Sequence, residues 1–166
     1  MGLNFDAHGD GDYLTTDPAL QDDVERKLIV IHLTAPQGML AGPAIAAACE
    51  AVGLVLGDMS IYHRVDESSG STLFSLASMV EPGTIPAEGL ADFKTPGLAM
   101  FTQLPGARDG VQIYDEMLQV ADRMAGLLHA EIRDERRNKL TRQMRDHMRE
   151  SIIDHRQRVR LARSRH

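Results

Sequence analysis

The chain contains four stretches in which side chains alternate as they do in β-strands, where successive residues point to opposite faces. In the first stretch, Ile29, Ile31 and Leu33 share one parity and suit a core. The opposite parity carries Leu28 and Val30, so it is apolar as well. An antiparallel sheet usually packs one face and exposes the other to water. The second apolar face therefore predicts a docking surface on strands that cover residues 27–34, 54–64, 73–81 and 98–104.

The other predicted strands also carry apolar residues on their second parity. Methionine is frequent among them, and its unbranched, polarizable side chain suits a surface that adapts to a ligand. Two other interpretations stay open: this face is ordinary core under another layer of the chain, or it contacts a second subunit. The apolar residues concerned are Met59, Ile61, Leu73, Met79, Ala99 and Phe101.

Apolar residues at helical spacing predict three helices in the remaining sequence. The first is short and alanine-rich, accepts Pro43 in its first turn and ends at Gly53. The second ends at Gly126 and is followed by a further strand, and the last has Thr141 as its cap. The order β-α-β-β-β-α-β-α favours an α+β fold with a mainly antiparallel sheet. The predicted helices cover residues 41–52, 109–125 and the segment from about 141 onward, and the further strand covers residues 127–133.

Composition indicates one globular domain behind a flexible lead-in. With 166 residues, of which 43% are hydrophobic, the chain is long enough to bury a core. Residues 1–25 are acidic and lack periodicity, so we expect a lead-in there and the domain over residues 26–166. No run approaches about 18 consecutive apolar residues, which predicts a soluble chain. The single cysteine, Cys49, excludes an intramolecular disulfide, fits a reducing compartment and is expected to be a packed core thiol.

Charge is distributed unevenly along the chain. Residues 133–166 contain twelve Lys/Arg and five Asp/Glu, a net of +7, whereas the preceding residues have a net of −13. A basic helix on an acidic body can bind nucleic acid or anionic lipid, and this is the alternative function that the sequence offers. The other interpretation of the basic segment is a solvated helix face.

Residues with catalytic or metal-binding potential do not form an organised site in the sequence. The motifs of serine hydrolases, phosphate-binding loops and zinc proteases are missing, and the seven histidines are scattered. The densest polar cluster lies in residues 58–64, where Ser60 and His63 have opposite parities in a strand and cannot pair. We therefore expect a protein that is not an enzyme, with no catalytic residue, no metal site and no cofactor.

Three segments carry a resemblance to a known family. Residues 56–64 read LGDMSIYHR and resemble the FGDMNIYHR segment of the C-terminal domain of ZipA, a bacterial cell-division protein. Residues 73–84 read LFSLASMVEPGT and resemble its LFSLANMVKPGT, and residues 92–97 read DFKTPG and resemble its DFTTPG. The agreement extends from about Leu28 to Ile153.

This resemblance implies a fold and a partner. The fold is α+β, with a six-stranded, mainly antiparallel sheet, three helices on one face and an exposed hydrophobic groove on the other. The groove takes the C-terminal tail peptide of FtsZ, the tubulin-like division GTPase, which makes the domain a monomeric cell-division adaptor that stabilises the FtsZ ring. The implied groove residues are Leu28, Val30, Asp58, Met59, Ile61, Met79, Glu81, Ala99, Phe101 and Gln103.

The chain departs from the family pattern at several points. Glu81 replaces a lysine and Ala99 a threonine, so the charge preference at the groove rim is expected to differ. Family members carry an N-terminal membrane helix and a long linker, neither of which the sequence patterns predict in this chain. The resemblance therefore implies an isolated domain on the cytoplasmic face of the inner membrane, in contact with lipid only through that anchor and not with nucleic acid.

The lead-in contains a second resemblance. Residues 12–20 read DYLTTDPAL and resemble the DYLDIPAFL run of FtsZ tails, with one residue inserted. If this similarity is functional, the lead-in occupies the groove as a pseudo-ligand. The alternative is a chance similarity within an acidic linker.

Overall fold

The structure of the protein is a computed structural model that describes residues 24–165. Most of the predicted lead-in, including the segment from Asp12 to Leu20, lies outside the described residues. The strands are β1 (Lys27–Thr34), β2 (Leu40–Ala41), β3 (Val55–Leu56), β4 (Tyr62–Val65), β5 (Thr72–Ser78), β6 (Lys94–Thr95), β7 (Gly97–Leu104) and β8 (Glu131–Arg133). The helices are α1 (Gly42–Val52), α2 (Gly110–Leu128) and α3 (Arg142–Ser164), with short 3₁₀ turns at Asp58–Ser60 and Leu90–Asp92.

Six strands form one sheet in the order β3-β4-β5-β7-β1-β8, and β2 pairs with β6 in a small separate ribbon. Neighbouring strands of the large sheet are all antiparallel. The register places Val30 opposite Phe101 and Phe101 opposite Ser75, so these residues lie in one row across the sheet. The α+β fold with a six-stranded antiparallel sheet is confirmed.

The main core lies between one face of this sheet and the three helices. Ile31 and Met100 enter it from neighbouring strands. Ile45, Met117 and Ile152 enter it from α1, α2 and α3. All five residues are completely buried. Burial of each such side chain contributes about 1.5–3 kcal/mol, so helix docking on this face is a main source of stability. The alternate residues of each strand point to the opposite face of the sheet.

The helix ends are predicted well in one case and wrongly in another. Helix α1 ends at Gly53, which adopts the left-handed conformation with φ of 80°. The predicted terminator Gly126 instead lies inside α2, which continues to Leu128 and ends at His129 with φ of 53°. Because Leu128 is buried and extends the apolar stripe, the helix gains core contacts by continuing. The predicted strand over residues 127–133 is therefore shortened to β8.

The predicted continuous strand over residues 54–64 is wrong. Strands β3 and β4 form an antiparallel hairpin, and the chain reverses between them through the turn at Asp58–Ser60. Met59 and Ser60 adopt left-handed conformations there, with φ of 67° and 57°. Residues other than glycine rarely adopt positive φ values, and an alternating pattern of apolar residues does not reveal such a turn.

The third predicted strand is shorter than expected. Strand β5 ends at Ser78, and a register irregularity between Arg64 and Val65 affects its start. Leu73 lies beside this irregularity and belongs to the main core together with Phe74. The assignment of Leu73 to the second face is therefore wrong, because a bulge changes the face to which a residue points.

Four arginines of α3 pair with acidic residues elsewhere in the domain. The basic end of the chain thus neutralises part of its acidic body. These pairs are open to solvent, and such pairs contribute little to stability. The N···O distances are 2.8 Å for Arg145–Asp122, 3.1 Å for Arg149–Asp115, 3.0 Å for Arg156–Asp109 and 2.8 Å for Arg158–Glu25.

Apolar contacts are therefore predicted to hold α3 in place. Ile152→Ala should lower the free energy of unfolding by about 2–5 kcal/mol, because it leaves a cavity at a fully buried position. Leu161→Ala on the same helix is the matched control, since Leu161 is 57% exposed. That control should change stability by less than about 0.5 kcal/mol. Equal effects of both substitutions in urea titrations would show that α3 does not dock through Ile152.

Cys49 is predicted to resist alkylation in the native protein. Its side chain is completely buried in the core, and burial raises the pKa of the Cys49 thiol to about 12. The reactive thiolate is therefore scarce and inaccessible. Iodoacetamide at mildly alkaline pH should leave the native thiol intact and modify it in denaturant, as measured by intact-protein mass spectrometry. Rapid labelling of the native protein would contradict the core assignment.

Candidate functional site

A second, smaller apolar cluster lies on the sheet face opposite the helices. Val30 of β1, Ala77 of β5 and Phe101 of β7 form it, together with Ile61, which precedes β4. Leu28 packs against them, and within residues 24–165 the cluster contains no helix residue. Phe101 is only 4% exposed. This face therefore has apolar packing of its own and is not a row of fully solvated side chains.

The ten residues predicted for the groove differ in how far they reach solvent. Met59 is 60% exposed, and the acidic residues Asp58 and Glu81 are exposed as well. Of the other seven residues, six are apolar and Gln103 is polar. Leu28, Met79 and Gln103 are half-buried, whereas Val30, Ile61, Ala99 and Phe101 are buried.

Met59 is exposed because of the turn between β3 and β4. The Gly57 amide donates to the Ile61 carbonyl over 3.0 Å, which closes the turn at its base. The Ile85 amide donates to the Ser60 carbonyl over 2.7 Å and joins the turn to the segment after β5. The left-handed conformation of Met59 then directs its side chain away from the path of an extended strand.

Met79 lies against the sheet where β7 begins. A side chain at Gly97 would overlap the Met79 sulfur and would approach the Leu33 carbonyl oxygen to 2.9 Å. Glycine at this position therefore leaves the space that Met79 occupies. This gives the glycine of the DFKTPG segment a direct role in shaping the second face.

One polar pair on this face was missed in the sequence. His63 Nδ1 and Ser75 Oγ are 2.8 Å apart on the neighbouring strands β4 and β5. Burial lowers the pKa of His63, which favours the neutral ring. Ser75 is 0% exposed, so its hydroxyl is shielded from solvent. Only the cross-strand register could have revealed this contact.

Within the described part of the chain, no group of three or more His, Cys, Asp or Glu side chains could hold a metal ion. None of the helices within residues 24–165 combines the length and the apolarity that crossing a bilayer requires.

Comparison with known proteins identifies the family. A family model described as ZipA, C-terminal FtsZ-binding domain, matches residues 27–151. Cell division protein ZipA of Pseudomonas aeruginosa (strain LESB58) is 36% identical over 147 residues, which are 87% of this chain and 50% of that protein. The ZipA protein of Marinobacter nauticus is 38% identical over 130 residues, 76% of this chain and 38% of that protein. The ZipA protein of Stutzerimonas stutzeri is 33% identical over 150 residues, which are 88% of this chain and 55% of that protein.

The chain thus spans about half the length of the curated relatives that it matches. The family match covers β1 to β8 and more than a third of α3, and so includes every residue of the second face described above. By this match and by the identity to its relatives, the chain belongs to the ZipA C-terminal domain family, a family of cell-division adaptors and not of enzymes.

Proposed function

We propose that this domain binds the C-terminal tail of FtsZ on the sheet face opposite the helices and so acts as an adaptor of the division ring. The main supporting observation is the exposed Met59, two residues before Ile61 of the apolar cluster that also contains Val30 and Phe101. In a larger protein with a membrane anchor, this contact would hold FtsZ filaments at the cytoplasmic face of the inner membrane.

The proposed contact is a short apolar peptide on a mostly preformed floor. Such a peptide buries less than about 1,200 Å² in total, which is at the low end for protein interfaces. Binding also has to offset the ordering of the peptide, so micromolar affinity is expected for a single site. Many such contacts along one filament supply avidity, while each contact can still exchange quickly.

The rim of the face adds charge selectivity. Asp58 and Glu81 are both exposed and both acidic. Acidic groups at a rim favour basic residues in a partner and mainly influence association rate and specificity. The proposed ligand therefore carries apolar anchors for the floor and a basic residue beside them.

The ion pairs of α3 weigh against binding of nucleic acid or anionic lipid by the basic helix. Arg145, Arg149 and Arg156 each contact a carboxylate of α2 or of its cap within 3.1 Å. A phosphate ligand would have to displace these carboxylates. The basic helix is therefore better explained as the partner of the acidic body.

Met59 is predicted to be an anchor for the peptide. Met59→Ala should weaken binding of a fluorescent FtsZ tail peptide by roughly tenfold, or about 1.4 kcal/mol, because it removes an exposed apolar contact. Circular dichroism should show an unchanged fold. Arg160→Ala is the control and should bind as tightly as the wild type.

The salt dependence distinguishes the two candidate functions. Affinity for the peptide should change only slightly between about 50 and 200 mM salt, whereas binding through phosphate contacts falls steeply over this range. A Met59 variant that binds normally, or an Arg160 variant that binds poorly, would contradict the proposed site.

Phe101 is predicted to support the fold as well as the proposed site. Phe101→Ala should lower the free energy of unfolding by about 3–5 kcal/mol, because the ring is buried within the second cluster. Met59→Ala should be nearly neutral by the same measurement, since Met59 is 60% exposed. A neutral Phe101→Ala in urea titrations would show that the second cluster contributes no packing energy.

A further inference from the structure

The imidazole of His63 lies directly beneath the turn that carries Met59. A Cβ added at Gly57 would be 2.7 Å from the Cδ2 atom and 3.1 Å from the Nε2 atom of His63. On its other side, the ring makes the 2.8 Å contact with Ser75 Oγ. His63 is 9% exposed, so the ring is enclosed between the turn and β5.

The hydrogen bonds of the ring define its protonation. The backbone of Asp58 accepts a hydrogen bond from His63, and a carbonyl oxygen can only accept. With Nδ1 directed at Ser75, the donor to Asp58 is Nε2–H. In the neutral ring Nδ1 then carries no proton and accepts from the Ser75 hydroxyl. His63 thus connects a buried strand residue to the first residue of the turn.

The turn needs such support because of its backbone conformation. Met59 and Ser60 both have positive φ values without being glycine. Left-handed conformations in such residues persist only where the surroundings hold them. The described restraints on the turn are the backbone bonds of Gly57 and Ser60 and the contact of His63 with Asp58.

We propose that His63 is a positioning residue of the partner-binding face, because its ring joins Ser75 to the backbone of Asp58 and fixes the turn that presents Met59. This inference rests on the proposed function, since it concerns how Met59 reaches the FtsZ tail. His63 itself is buried and does not contact the peptide.

Protonation of His63 should weaken this arrangement. Asp58 is the charged group that faces the ring from the turn, and Ser75 is its neutral partner on β5. Because burial lowers the pKa of His63, the supported turn is fully formed above the ordinary histidine pKa of about 6.5. It is lost as the pH falls through the lower pKa of the folded protein, because the buried surroundings of the ring disfavour its charged form.

A double-mutant cycle tests the inference. His63→Asn keeps a polar group near Ser75 but is too short to reach Asp58, so it should weaken peptide binding roughly tenfold, as Met59→Ala does. Adding Met59→Ala to His63→Asn should then change affinity by less than about twofold. His63→Gln, whose amide reaches the Nε2 position, should restore most of the binding.

Leu28→Ala provides the control pair because Leu28 lies on β1, at the far side of the apolar cluster. The fold-losses in peptide affinity caused by Leu28→Ala and by His63→Asn should multiply in the double variant. The loss of wild-type affinity as the pH falls from about 7.5 to below the lowered pKa of His63 should be smaller in His63→Gln, because the ring that titrates is missing. Full multiplication of the His63→Asn and Met59→Ala effects would overturn the inference, and so would identical pH profiles.

A measurement without peptide separates this inference from the proposed function. The Met59 methyl resonance and the hydrogen exchange of the Asp58–Ser60 amides should change in His63→Asn and stay close to wild type in His63→Gln. If the wild type binds no peptide, the proposed function fails, while these resonances still report whether His63 fixes the turn. Unchanged resonances in His63→Asn would overturn the positioning role.

Discussion

The three helices bury only one face of the sheet, and this constraint determines what the opposite face can be. Residues such as Ile31 and Met100 stabilise the fold through the helices. Val30 and Phe101 point the other way and pack with Ile61 in a cluster that contains no described helix residue. An apolar sheet face without cover from the described helices is the basis for proposing a short apolar partner. The family of the chain makes the tail of FtsZ the natural proposal for that partner.

Much of the fold could be predicted because local pattern and tertiary environment agree. Strand β1 and helix α1 follow the predicted periods closely, and Gly53 ends α1 as expected. The errors arise where the tertiary environment overrides the local sequence preference. Gly126 is a helix terminator by local preference, yet Leu128 gains core burial when α2 continues. The reversal at Met59 is invisible to periodicity, because it depends on a backbone conformation that the surrounding structure imposes.

The sequence predicted residues of the candidate site but not how deeply each of them is buried. Parity and resemblance together selected residues such as Val30, Met59 and Phe101. Neither could separate the buried Phe101 from the exposed Met59, since burial depends on what neighbouring strands place beside each residue. The contact between His63 and Ser75 likewise depends on the register of β4 and β5. Cross-strand register is thus the information that the sequence did not contain.

Mapping the bound tail on the domain tests the central claim most directly. Addition of an FtsZ tail peptide to the isotopically labelled protein should shift the resonances of Leu28, Met59 and Phe101, and leave those of α3 nearly unchanged. Shifts confined to the arginines of α3, or the absence of saturable shifts on the second face, would contradict the account.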